Sequence, residues 1–391
     1  MGRVFEELDR GRGHRGRAAR GVVRAIRAMA SGLGAAFALL PLLAAAAPSA
    51  LAATTVEVVG FGSNPGNLRM FKHVPDGLPA SAPLVVVLHG CTQDARGYAA
   101  ASGWVHVAER ARAALAMAEQ TQANNPNRCF NWFLRGDNRR DQGEALSIRQ
   151  MVDRMRTDHG VDPARVFVTG LSAGGAMASV MLATYPEVFA AGGVVAGLPY
   201  GCANDLSPLQ PTQATGCMST GQPSGPPPGR LPGGPFPVPA PPPGLCLFFP
   251  LLPGCAPPPD EPPTTASGWG DLVRRASGHA GPFPRVSIWH GGADPVVNPA
   301  NAGASVLQWT DVHGIGAQPP AQDAVGGHPR RTFRDAAGRA VVESVSVAGM
   351  GHGVPVDPGA GADQCGTAGA FVLDADVCSS LFIARFWGLL D

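Results

Sequence analysis

The chain has 391 residues, of which 45% are hydrophobic and 15% charged, and its net charge is +1. That length suffices for one large domain or two ordinary ones, and the weak charge argues against a nucleic-acid binder. The N-terminus distorts even this balance. The first 30 residues hold eight Arg against Glu6, Glu7 and Asp9, and the remainder carries 22 basic and 26 acidic residues, a net of −4.

Residues 31–53 form an apolar stretch behind that Arg-rich segment and end in Ala50-Leu51-Ala52. This is the order of a secretory signal: basic region, apolar core, small-residue cleavage site. Residues 1–53 are therefore predicted to be a signal peptide with a long basic region, which leaves room for a start further downstream. An uncleaved membrane anchor is the rival reading. The core from Leu33 to Leu43 is short for a span and is broken by Pro41. No later stretch is apolar enough to cross a bilayer, so the mature protein is expected to be extracellular or periplasmic and free of membrane.

Strands are predicted at Val56–Gly60 and Leu68–Val74, split by the turn Asn64-Pro65-Gly66-Asn67. Pro83–Gly90 is a continuous apolar run and reads as a strand buried on both faces of a parallel sheet. A helix is predicted over Trp104–Ala114 and a short strand over Leu115–Ala118. Gly143–His159 is amphipathic, with Ile148, Met151, Val152 and Met155 on one face. Val166–Thr169 then runs into Gly170-Leu171-Ser172-Ala173-Gly174, followed by a helix of small residues to Tyr185 and a strand at Ala191–Ala196.

Residues 219–263 change character, being dominated by Pro and Gly, and should form an extended surface insertion rather than core. Within it, Cys246 and Cys255 can staple a small apolar knob around Leu247-Phe248-Phe249. A flap that touches substrate is the alternative. The alternation then resumes: Leu272–Ser277 helix, Arg285–His290 strand, Ala300–Val312 helix, Val341–Val347 strand, and a last helix over Val377–Leu390 with Phe382, Phe386 and Leu389 on its apolar face. Alternating strands and helices around one sharp turn predict a single α/β domain over residues 54–391, with a doubly wound, mostly parallel sheet.

Gly-x-Ser-x-Gly between a strand and a helix is the pattern of a nucleophile elbow, in which the turn lifts Ser172 above the sheet. A Cβ at Gly170 or Gly174 would collide with the neighbouring strand and helix. Such a serine needs a later acid and a later base, in that order. Asp294 follows the strand Val286–His290, and His352 follows the strand Val341–Val347 between two glycines, so both fall on the rim where open α/β sheets bind ligands. Asp271, Asp323 and Asp357 are rival acids that follow no strand so cleanly. His290 lies inside its strand and reads as a structural histidine. Two backbone amides would bind an oxyanion, that of Ala173 and that of Cys91 in the loop His89-Gly90-Cys91-Thr92-Gln93.

Eight cysteines behind an export signal point to disulfides. Sequence alone does not fix their pairing. Short loops favour Cys202–Cys217, Cys246–Cys255 and Cys365–Cys378, which leaves Cys91–Cys129. No Cys-x-x-Cys and no His pair at ligand spacing occurs, so neither a metal nor a cofactor is expected.

Several stretches together resemble one family. They are Leu88-His89-Gly90-Cys91-Thr92-Gln93, Asn124–Phe133, Gly170–Met177, Gly197-Leu198-Pro199-Tyr200-Gly201-Cys202-Ala203, and Trp289-His290-Gly291 with Asp294. In this order they are similar to the extracellular esterases of the poly(3-hydroxybutyrate) depolymerase family, over roughly residues 56–391 apart from the insertion. The resemblance implies a secreted serine esterase of the α/β-hydrolase fold, with Ser172, Asp294 and His352 as nucleophile, acid and base. It implies hydrolysis, through an acyl-enzyme, of polyhydroxyalkanoates such as poly(3-hydroxybutyrate) or its oligomers, or of similar esters, so the expected partner is a polyester or small-ester substrate. Dedicated polymer degraders add a linker and a polymer-binding domain, which is not expected here. Relatives that act on feruloyl or acetyl esters keep a short-chain carboxylesterase as the alternative. A non-catalytic binding protein on a hydrolase scaffold is a remoter one. The oligomeric state is left open.

Overall fold

The computed structural model describes residues 55–205, 212–222, 265–316 and 321–391. The expected signal peptide, Cys246, Cys255 and most of the proline-rich insertion lie outside these residues. The first four positions assigned to the insertion, 219–222, belong instead to the end of a helix and the turn that follows it.

Twelve strands lie among the described residues: β1 Val56–Val58, β2 Arg69–His73, β3 Leu84–Leu88, β4 Ala114–Glu119, β5 Val166–Leu171, β6 Ala191–Val195, β7 Arg285–Gly291, β8 Ala321–Val325, β9 His328–Arg334, β10 Ala340–Val347, β11 Val354–Val356 and β12 Val372–Asp374. The helices are α1 Ala95–Ala101, α2 Trp104–Ala111, α3 Gly143–His159, α4 Ala173–Thr184, α5 Thr212–Thr220, α6 Ala266–Ser277, α7 Ala300–Val312 and α8 Ser379–Trp387. Ten strands make one sheet in the order β1-β2-β4-β3-β5-β6-β7-β10-β9-β8. The six from β4 to β10 run parallel, and antiparallel pairs close both ends.

The all-apolar run of β3 is explained by two covered faces. Leu84, Val86 and Leu88 point into the layer containing α3, α4, α6 and α7, while Val85 and Val87 point into the layer of α1, α2 and α8. The chain leaves β3 outward to β4 and then returns to β5 on the other side of β3. Strand order therefore reverses between β3 and β5, and a crevice opens above their C-terminal ends. The loop after β3 and the turn after β5 border that crevice.

The structure departs from the sequence reading in several places, and four of them have a clear physical reason; in addition, the helix predicted over Trp104–Ala114 ends at Ala111 and Ala114 opens β4. Helix α1 was not among the predicted elements; Asp94 caps it by accepting from the Gly97 amide at 2.8 Å. Helix α6 starts six residues early, at Ala266, because Thr265 caps it while Gly268 and Gly270 dilute its helical signal. The hairpin β8–β9 turns on Gly326-Gly327, both at positive φ (54° and 79°). Its strands are mostly polar and exposed, so no apolar alternation announced them. Finally, α8 buries Leu381, Ile383, Ala384 and Trp387, whereas Phe382 and Phe386 are only half-buried. The indole of Trp387 stacks on Phe167 and Trp104 at 4.9 and 5.2 Å, which sets the rotation of the helix. Phe382 and Phe386 turn outward under the guanidinium groups of Arg385 and Arg285.

Candidate active site

β5 ends in a turn tight enough to exclude side chains. A Cβ on Gly170 would lie 2.4 Å from the Gly174 backbone, and one on Gly174 would lie 2.3 Å from the Leu88 carbonyl oxygen. Between them Ser172 sits at φ 56°, ψ −118°, a conformation that non-glycine residues rarely hold. Its amide donates to Val195 O at 2.9 Å and its carbonyl accepts from Ala176 at 2.8 Å, so both sides of the strained residue are tied down. Ser172 is 8% exposed, on the floor of the crevice.

The next rim loops are stitched together in strand order. Ala196 N donates to Trp289 O at 2.8 Å, joining the end of β6 to β7. Gly292 N donates to Val347 O at 2.9 Å and Ala293 N to Met350 O at 3.0 Å, joining the loop after β7 to the loop after β10. Asp294 lies on the first of these loops and His352 on the second. His352 Nδ1 approaches Asp294 Oδ2 at 2.7 Å, and the Asp294 side chain is fully buried. The carboxylate makes Nδ1 the protonated nitrogen, which leaves the Nε2 lone pair free to accept a proton.

Asp294 is satisfied on both oxygens. Oδ1 accepts from the amides of Val296 and Val297 at 2.8 and 2.9 Å. Oδ2 accepts from His352 and lies 3.3 Å from His290 Nε2. His290 Nε2 also lies 2.9 Å from Val297 O; both neighbours are acceptors, so that nitrogen carries the proton. Burial alone would push the Asp294 carboxyl up. The hydrogen bonds from His290, His352 and Val297 outweigh it and hold the group well below the usual carboxylate range. His290, read from sequence as structural, thus helps hold the Asp294 carboxylate in place. Its place four residues before Asp294 was visible, but nothing in the sequence said which way its ring turned.

Each rival acid is held elsewhere. Asp271 pairs with Arg274 at 2.9 Å, Asp323 with Arg330 at 2.5 Å on the edge hairpin, and Asp357 accepts from Gln364 at 2.9 Å. Among the described residues no hydrogen bond joins Ser172 Oγ to His352. Contacts of this kind commonly tighten only when substrate binds.

The loop after β3 is fixed from both ends. Gly90 N donates to Gln93 Oε1 at 2.9 Å, Thr92 N donates to Asn127 O at 2.7 Å, and Cys91 is bonded to Cys129. Beneath it His89 is fully buried. Its Nδ1 donates to Gly90 O at 2.7 Å, and its Nε2 accepts from Gln120 N at 3.1 Å, a bond only the neutral ring can take. Burial pushes the His89 imidazole down to about 4. The Gln120 side chain bonds the buried Glu144, whose other oxygen accepts from Asn131 N at 2.8 Å. Burial and the nearby Asp137 push Glu144 well above the ordinary carboxylic range.

A cavity of about 310 Å³ opens beside Ser172, lined by Cys91, Asn127, Trp132, Ala173, Leu198 and Met218 among others. The amides of Cys91 and Ala173 donate to no other group among the described residues. Cys202–Cys217 and Cys365–Cys378 are also bonded, so three of the four favoured pairs are present and the fourth lies outside the described residues. The one carboxylate cluster among the described residues with metal-ligand geometry is Asp357, Asp374 and Asp376, whose oxygens lie within 4.8 Å of one another. Exposed acidic groups commonly gather without an ion. No helix of the described residues is long and apolar enough to cross a membrane.

The fold, the elbow and the Asp–His pair define an ester hydrolase of the α/β-hydrolase class. Residues 68–213 match the family model described as "Esterase PHB depolymerase". The chain is 46% identical over 351 residues to poly(3-hydroxyalkanoate) depolymerase C of Paucimonas lemoignei, covering 90% of this chain and 73% of that protein. It therefore belongs to the poly(3-hydroxybutyrate) depolymerase esterase family. It is also 28% identical to feruloyl esterase B of Talaromyces funiculosus, covering 82% of this chain and 78% of that one. The solved acetyl xylan esterase of Aspergillus awamori shares the fold, with TM-score 0.60 and 24% identity over 76% of this chain and 94% of that one.

Proposed function

We propose that this chain is an exported serine esterase that hydrolyses poly(3-hydroxyalkanoates) or their oligomers through an acyl-enzyme. The observation that carries the reading is the Asp294–His352 pair at 2.7 Å, on the rim above which the elbow presents Ser172. Ser172 Oγ attacks the ester carbonyl while His352 Nε2 takes its proton. The amides of Cys91 and Ala173 stabilise the oxyanion. His352 returns the proton to the departing alkoxide, and water then releases the acid by the same route. Asp294 holds the tautomer and stabilises the imidazolium.

The 46% identity to a depolymerase supports a hydroxyalkanoate substrate. The feruloyl and acetylxylan esterases at 28% and 31% identity support a second reading, a carboxylesterase for plant-wall esters. Residues 1–53 would serve as the secretion signal and residues 54–391 as the catalytic domain, with the segment 219–263 as an insertion. The test is a panel at equal enzyme: hydroxybutyrate oligomers, a polyhydroxybutyrate emulsion, methyl ferulate and acetylated xylan. Release of hydroxyacid from oligomers faster than any acid from the plant esters is expected. The reverse order would favour the second reading.

A further inference from the structure

Phe371 combines three properties that a side chain without a task does not. It is 41% exposed, its backbone sits at φ 59°, and its ring meets the His352 ring edge-on, with centroids 6.0 Å apart at 74°. A bulky residue at positive φ is an outlier that the surrounding structure must hold in place. The neighbouring backbone enforces it. Phe371 O accepts from Val354 N at 2.9 Å, Gly369 and Val372 exchange bonds of 2.8 and 3.1 Å around it, and Ala370 O accepts from Gln93 of the loop after β3. The fold thus holds an apolar ring in water beside the imidazole.

Its position indicates what it faces. The cavity lined by Ser172, Cys91 and Ala173 is the space open to the acyl part of an ester, and Phe371 is not among its walls. The alcohol part extends from the oxygen that takes its proton from His352 Nε2, and Phe371 borders that imidazole. Val296, another exposed apolar residue at 42%, lies beside the same pair, its amide bonded to Asp294.

We propose that Phe371, the exposed ring against His352, is the binding platform for the alcohol half of the ester, a specificity-determining contact for the unit that leaves, with Val296 beside Asp294 as a second apolar contact. The proposal rests on His352 acting as the acid that protonates the leaving group. It predicts selectivity by the size and apolarity of the alcohol, independent of the acyl chain.

The test compares kcat/KM for benzyl butyrate and methyl butyrate, and separately for methyl acetate, butyrate and hexanoate. Phe371→Gly suits it, because glycine accepts φ 59° and removes the ring without adding strain. Phe371→Tyr is the conservative partner. In Phe371→Gly the benzyl-to-methyl ratio should fall roughly tenfold, the size of losing part of one buried aromatic contact. The acyl-chain ratios should stay put, Tm should not fall, and Phe371→Tyr should restore the alcohol ratio. An unchanged alcohol ratio would overturn the proposal. So would a loss shared equally by every ester, which would mark Phe371 as a support for His352. If the parent chain hydrolyses none of these esters, the reading of the site fails, and this proposal fails with it.

Discussion

Asp294→Asn separates the chemistry of the acid from its packing. The substitution keeps size and shape. If the amide oxygen stays on the Val296 and Val297 amides, which lie at 2.8 and 2.9 Å, the NH2 group faces His352 Nδ1 at 2.7 Å and His290 Nε2 at 3.3 Å. His352 must then move its proton to Nε2, and the lone pair that accepts the Ser172 proton is gone. A wrong tautomer of this kind costs on the order of ten-thousandfold in turnover. The escape is to flip the amide. That sets NH2 against two backbone N–H donors, at about 1–3 kcal/mol for each group left unsatisfied. The two routes are close in cost, so kcat should fall by about a thousandfold to ten-thousandfold, with KM changed little. The assay is steady-state hydrolysis of p-nitrophenyl butyrate, with a circular-dichroism melt to verify the fold. A folded variant within tenfold of the parent kcat would refute the assignment of Asp294.

Two further substitutions test the scaffold. Burial pushes the Glu343 carboxyl from 4.5 up to about 7, against the opposing Ser287 hydroxyl and Arg330. Between those values the folded state holds a proton that the unfolded chain has released, so this group's contribution to stability falls as pH rises and levels off above about 7. Glu343→Gln should therefore gain on the parent across that window, approaching about 3 kcal/mol at pH 8 by urea unfolding; a difference independent of pH would refute this. Removing the Cys91–Cys129 bond with paired alanines frees a loop spanning 38 residues and should cost about 4 kcal/mol. It should also lower kcat more than it raises KM, because the Cys91 amide loses its anchor; unchanged kcat would show that the disulfide does not position that amide.

Much of this architecture was legible because short-range signals agreed with each other. The run Pro83–Gly90, the glycines around Ser172 and the period of Gly143–His159 each had one structural reading, and the strand ends then located Asp294 and His352. What stayed hidden depends on orientation. The turn of the His290 ring onto Asp294, the exposure of Phe371 and the face buried by α8 are fixed by tertiary packing, above all by Trp387 between Phe167 and Trp104. The β8–β9 hairpin was missed for another reason. Its Gly326-Gly327 turn was readable, but charged strands such as His328–Arg334 carry no apolar alternation at the sheet edge.

The proposed mechanism stands on Ser172 as the nucleophile. Its most direct test is to react the purified protein with a fluorophosphonate, digest it and locate the adduct by mass spectrometry. Stoichiometric modification of Ser172 is expected in the parent, and no adduct in Ser172→Ala, whose ester turnover should fall on the order of a millionfold. An adduct on another residue, or an unlabelled Ser172 in a protein that still hydrolyses esters, would contradict it.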